Sequence, residues 1–224
     1  MFNKIIKNGM FIHLIHVYLT YKYNFYIASC IAIKLYSVNY FFWFGNLLNL
    51  FKNPRHNWVK QFIRFTDTGH IASFMILSAP SLLPVAHNVH FTIMAGYWLG
   101  KFAFNMKDAD KLMISDIDAD HMDLCTYIHH TLPYLLMLHQ MYNQQYISCY
   151  IEYDTLNLIY TYAWLYSWFI FIYLPWNYFT GDKVYSILDP KITSLPNIIG
   201  FVGVIHLFIY IANEVGYGVC SMMY

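Results

Sequence analysis

Apolar residues fall in long blocks along this chain, and short polar stretches separate them. Residues 25–51 form the first block, long enough to span roughly 30 Å of hydrocarbon. Lys34 is its one charge, placed either to snorkel or to face other helices. A basic linker follows, carrying Lys52, Arg55, Lys60 and Arg64. Residues 69–104 are apolar again but interrupted at Pro80 and Pro84. Proline removes a backbone donor and clashes with the preceding turn, which predicts a helix to about residue 79, a turn, and a second helix over about 85–104. Residues 105–121 hold five Asp and read as a solvated loop. Residues 122–142 predict another span, 146–176 one tilted helix or two, 177–196 a loop, and 197–213 the last span. The expected fold is all-α, a polytopic membrane bundle of about six transmembrane helices over residues 25–224. A basic amphipathic segment, 1–24, precedes it and suits a membrane interface.

Composition narrows the class further. Apolar residues make up 58% and charged residues 11%, against roughly a quarter charged in soluble domains. So few charges cannot coat a soluble globule, and so apolar a chain is not disordered. A net charge of +1 leaves no case for a nucleic-acid binder. Cys30, Cys125, Cys149 and Cys220 show no metal-site spacing and read as structural thiols. The first acidic residue is Asp67. An acid-free basic start suits either an interfacial anchor or a mitochondrial transit segment, and no cleavable secretory signal is expected. It tips the expected location toward the mitochondrial inner membrane over the endoplasmic reticulum.

Eleven His in so apolar a sequence mark the candidate chemistry. Ionisable groups in hydrocarbon are costly and mark functional sites by default. His87 and His90 are three apart and share a helix face. His129 and His130 are adjacent, so their side chains diverge by about 100° on a helix. Together with Glu152 they form a candidate internal polar site. Three chemistries could use it: bis-histidine haem ligation, a mixed metal site, or general-base catalysis by His with a carboxylate orienting it. The spacing fits no standard metal motif, so no metal and no haem is expected; the expected bound molecule is phospholipid.

Three stretches, in order, resemble the TLC-domain family of multi-pass membrane proteins. MAGYWLGKF (94–102) looks like its small-residue–Gly–Tyr segment, although Lys101 and Phe102 stand where an Asp usually follows. YIHHTLPYLLMLHQMYN (127–143) is similar to its paired-histidine helix, and IEYDTLNL (151–158) to its Glu, Ser/Thr, Leu-Asn segment. The resemblance covers about residues 60–213 and adds Tyr97 to the candidate polar site. The family's catalytic branch, the ceramide synthases, extends the paired histidines into a His-Asp pair and a further Asp. This chain lacks that pair, so the resemblance implies the non-catalytic branch. The expected role is a lipid-binding or structural accessory subunit of a larger membrane complex, such as a respiratory or ATP-synthase assembly. Its partners would be membrane lipids and other membrane-protein subunits. The alternative is a lipid-modifying enzyme, with His129 or His130 as base and Glu152 or Asp154 orienting it, and a third reading is a bis-histidine haem-binding membrane subunit.

Overall fold

The computed structural model describes residues 2–44, 62–103, 116–143 and 153–222. These residues fold into helices joined by short turns, with no strand among them. We number the helices α1 (Phe2–Lys22), α2 (Phe25–Phe44), α3 (Phe65–Met75), α4 (Leu83–Ala103), α5 (Asp116–Asn143), α6 (Thr155–Thr180) and α7 (Leu195–Met222). Helices α6 and α7 are long and apolar enough to cross a membrane. Their outward residues, among them Phe171, Phe179, Ile199 and Leu207, are apolar and exposed. A surface of that kind suits lipid or a partner rather than water.

Helix α4 is the hub. It packs against α3, α5, α6 and α7, and it buries polar residues along with apolar ones, including His87, Asn88, His90 and Thr92. Helix α2 packs on α3 and α5, and α1 lies against α2. One apolar cluster joins Ile27, Cys30, Ile31, Ala72, Met137 and Met141 across α2, α3 and α5. A second joins Phe65, Val89, Ile93, Trp168, Trp176 and Val184 across α3, α4, α6 and the loop before α7. The second cluster borders the cavity described below.

Several element boundaries differ from the sequence-based expectation. Pro84 does not interrupt a helix; it lies in the first turn of α4, where a missing N–H leaves no hydrogen bond unmade. Asp116, Asp118 and Asp120 belong to the start of α5 instead of a loop. The 105–115 part of the expected acidic loop and the basic linker up to Gln61 lie outside the described residues. The described part of the 146–176 block forms one continuous helix, α6, which runs on to Thr180 and whose middle is a π-helical segment, Phe169–Tyr173. The N–H of Leu174 reaches back to Phe169 O, one residue further than in an α-helix. Pro175 explains the widened turn: its ring would collide with the carbonyl four residues earlier in a regular helix. Helix α7 runs nine residues past the predicted end at 213, because Ile209, Ala212, Asn213, Gly216 and Cys220 keep one buried face. Cys30 and Cys125 are buried thiols as expected, but Cys220 is disulfide-bonded.

Candidate functional site

The site begins at the first turn of α3. Asp67, buried, accepts the Arg64 N–H at Oδ2 (2.9 Å) and the Lys34 ammonium from α2 at Oδ1 (2.6 Å). Lys34 therefore faces the bundle rather than snorkelling. The clamp fixes the N-terminus of α3 and with it Thr66. Thr66 Oγ1 lies 3.0 Å from His130 Nε2 on α5. His130 Nδ1 lies 2.6 Å from the Thr126 carbonyl oxygen. A carbonyl can only accept, so Nδ1 carries the proton and Nε2 presents its lone pair. The Thr66 hydroxyl donates to that lone pair. Tyr97 of α4 stacks on the His130 ring at 3.8 Å between centroids, and Lys101 donates to the hydroxyls of Tyr97 (3.2 Å) and Tyr127 (2.9 Å).

Thr66, His130 and Tyr185 form one polar wall of a cavity of about 210 Å³. The remaining lining is mostly apolar, supplied by residues such as Ile93, Leu165, Phe169, Phe201 and Ile205. That volume falls below the roughly 300–1,000 Å³ of sites for drug-sized ligands, so it suits part of a lipid chain and not a whole phospholipid. At another point of the lining, Tyr166 Oη donates to His206 Nε2 (2.8 Å), and His206 Nδ1 donates to Val202 O (2.7 Å). Gly96 sits at the α4–α7 contact beside the cavity, where a Cβ would lie 2.9 Å from Ile205 Cδ1 and push that side chain aside.

Of the residues singled out from the sequence, the fold brings Tyr97 and His130 together and distributes the rest. His129 points away from the cavity, 2.9 Å from Ile33 O through Nε2. Its ring lies 5.3 Å from that of His70, which in turn lies 5.6 Å from that of His90. His70 donates from Nδ1 to Cys30 O (3.1 Å), and His90 Nε2 pairs with Ser73 Oγ (2.7 Å). His87 donates from Nδ1 to Asn88 Oδ1 (3.0 Å), and Asn88 reaches Thr161 and Asn213 to tie α4 to α6 and α7. Nε2 of His70 and of His87 are buried with no hydrogen-bond partner among the described residues. No group of three or more His, Cys, Asp or Glu among the described residues is arranged to hold a metal ion.

Glu152 lies outside the described residues. Asp154 is the N-cap of α6, its side chain accepting the Asn157 N–H at 2.9 Å. A capping role predicts that Asp154→Asn keeps both stability and any turnover, because Asn caps as well as Asp, whereas Asp154→Ala lowers stability by about 0.5–2 kcal/mol. Thermal unfolding of the two variants in detergent checks this.

Thr66, Asp67 and Tyr185 complete the site and were not singled out as site residues from sequence. No family model, curated protein or solved structure matches the chain. Its chemistry is therefore read from this geometry alone: an all-helical protein with membrane-compatible helices and a hydroxyl–imidazole pair on the wall of an apolar cavity.

Proposed function

We propose that this chain is a multi-pass membrane enzyme that cleaves or transfers the acyl group of a lipid ester, with Thr66 as nucleophile and His130 as general base. One observation carries the reading: a Thr hydroxyl donates to the lone-pair nitrogen of a His whose other nitrogen is held by a backbone carbonyl, beside an apolar cavity. Nucleophile, base and orienting group in hydrogen-bond sequence are the minimum set for acyl transfer. The orienting group is the Thr126 carbonyl in place of the carboxylate anticipated from sequence.

The chemistry closes on these groups. Thr66 Oγ1 attacks the ester carbonyl carbon while its proton passes to His130 Nε2. The tetrahedral intermediate collapses, the C–O bond to the leaving alkoxide breaks, and His130 returns the proton to that oxygen. A water or a second alcohol, deprotonated by His130 in turn, then releases the acyl group from Thr66. The position of Thr66 in the first turn of α3 adds the positive end of the helix dipole to the developing negative charge.

The TLC resemblance points to the non-catalytic branch and does not carry this reading, although Tyr97 and His130 from two of its stretches stack against each other. We read α2, α4 and α5 as crossing the membrane beside α6 and α7. The acid-free start favours the mitochondrial inner membrane over the endoplasmic reticulum. A second reading, the non-catalytic lipid-binding accessory subunit, is favoured by the exposed aromatic faces of α6 and α7, which partner chains would cover.

The test is covalent trapping. Protein purified in mild detergent is treated with a fluorophosphonate bearing a long alkyl chain, and the labelled peptide is mapped by mass spectrometry. The expected label is on Thr66. Thr66→Ala is expected to lose both the label and turnover of a long-chain p-nitrophenyl ester, and Thr66→Ser to retain both. Unchanged turnover in Thr66→Ala overturns the reading. Lipid retained at stoichiometric level by a wild-type protein that neither labels nor turns over ester supports the accessory-subunit reading instead.

A further inference from the structure

Tyr185 is the member of the polar wall that the proton transfers above leave unused. It sits in the loop between α6 and α7, just before the short 3-10 turn Ser186–Leu188. Its placement is costly to the backbone. Val184, the residue before it, has φ 54, a left-handed conformation that a β-branched side chain rarely adopts. The turn is closed by the Tyr185 N–H bonding to Lys183 O. Asp182 braces it from both sides, accepting the Val184 N–H at Oδ1 (3.4 Å) and the Trp176 indole N–H at Oδ2 (3.1 Å). Val184 is itself buried in the cluster that includes Trp168 and Trp176. Strain held by so much packing is found where a side chain must be aimed.

The aim is toward the nucleophile. Tyr185 Oη accepts the Phe65 N–H at 3.0 Å, which leaves its own proton to be donated. The Thr66 side chain, one residue on, lines the same cavity as Tyr185. Burial pushes the Tyr185 phenol up to about 12, with the nearby Asp67 carboxylate acting in the same direction, so the hydroxyl keeps its proton across any working pH. A phenol that accepts one hydrogen bond is a stronger donor of the next.

We propose that Tyr185 is the oxyanion donor of the site, a catalytic residue whose O–H stabilises the negative oxygen of the tetrahedral intermediate formed at Thr66. The assignment rests on the acyl-transfer reading. In the resting site the Tyr185 oxygen is held by the Phe65 N–H, beside Thr66. As Thr66 attacks, the C=O π pair moves onto the carbonyl oxygen, which lies two bonds from Oγ1. The Tyr185 O–H donates to that oxygen without proton transfer. A preorganised neutral donor in a water-poor pocket is the arrangement that lowers the barrier most.

The experiment uses full-length protein in detergent with a long-chain p-nitrophenyl ester. Tyr185→Phe is expected to lower kcat by about 100-fold with little change in KM. It is expected to weaken a long-chain trifluoromethyl ketone, which mimics the tetrahedral adduct, by a similar factor, while binding of a fatty alcohol of the same length is unchanged. Wild-type turnover in Tyr185→Phe, or equal weakening of ketone and alcohol, overturns the assignment. Thr66→Ala is measured in parallel. An inactive Thr66→Ala beside a fully active Tyr185→Phe sinks the Tyr185 role alone; an active Thr66→Ala sinks the acyl-transfer reading as well. Should Tyr185→Phe fail to fold, an isosteric ring-fluorinated tyrosine at position 185 replaces it. Its more acidic phenol is expected to bring a fall of kcat at alkaline pH into the working range, where the wild type shows none, and a profile identical to wild type overturns the assignment.

Discussion

Lys34→Met is expected to destabilise the protein by about 3–5 kcal/mol, the effect of removing one partner from a buried ion pair. Lys34 and Asp67 meet at 2.6 Å, and both side chains are almost wholly shielded from solvent. Losing Lys34 strands a carboxylate in the interior of the bundle. Losing both charges is a different matter, because two well-packed apolar side chains avoid the desolvation cost altogether. Lys34→Met with Asp67→Leu is therefore expected to recover most of the lost stability. It is not expected to recover turnover, since Asp67 also holds the Arg64 N–H and so sets where Thr66 sits. Denaturant unfolding of the single and double variants, with ester hydrolysis measured alongside, separates these outcomes. A single variant as stable as wild type would mean that the two side chains do not pair.

The adjacent histidines give the second large effect, and they give it in opposite directions. His130→Gln removes the general base and is expected to lower kcat by about 10²–10⁴-fold with modest loss of stability. His129→Gln disturbs the buried bond to Ile33 O, which is expected to cost about 1–3 kcal/mol of stability while turnover per folded molecule stays near wild type. Paired measurements of kcat and unfolding midpoint test the division. The reverse pattern would move the base from His130 to His129 and leave Thr66 without its partner.

How much of this was legible in the sequence depended on distance along the chain. Helical character and a largely apolar exterior follow from local pattern, and the helices formed near where the blocks of apolar residues fell. The paired histidines stood out for the same reason. Which of the two faces the cavity did not, because a difference of about 100° between neighbours becomes meaningful only once α3 and α4 are in place. Thr66 was invisible: a hydroxyl at the end of a basic stretch carries no signal, and its partner is 64 residues away. Lys34 and Asp67 offered a clue that went unused. A lone cation in the first apolar block and the first acid of the chain are each too costly to bury alone, so their pairing was the economical solution. Asp154 misled in the opposite way, since a carboxylate near a polar site and a helix N-cap look alike until the helix start is known.

The widened turn in α6 has a bearing on how this helix tolerates change in length. Elsewhere in a helix, losing one residue swings everything downstream by about 100° and ruins the packed face. At Phe169–Tyr173 the extra residue is already absorbed locally, so one deletion there would restore ordinary winding and leave both halves facing their neighbours. Pro175 disfavours that shorter form as the sequence stands, so the deletion is tolerated only together with replacement of the proline.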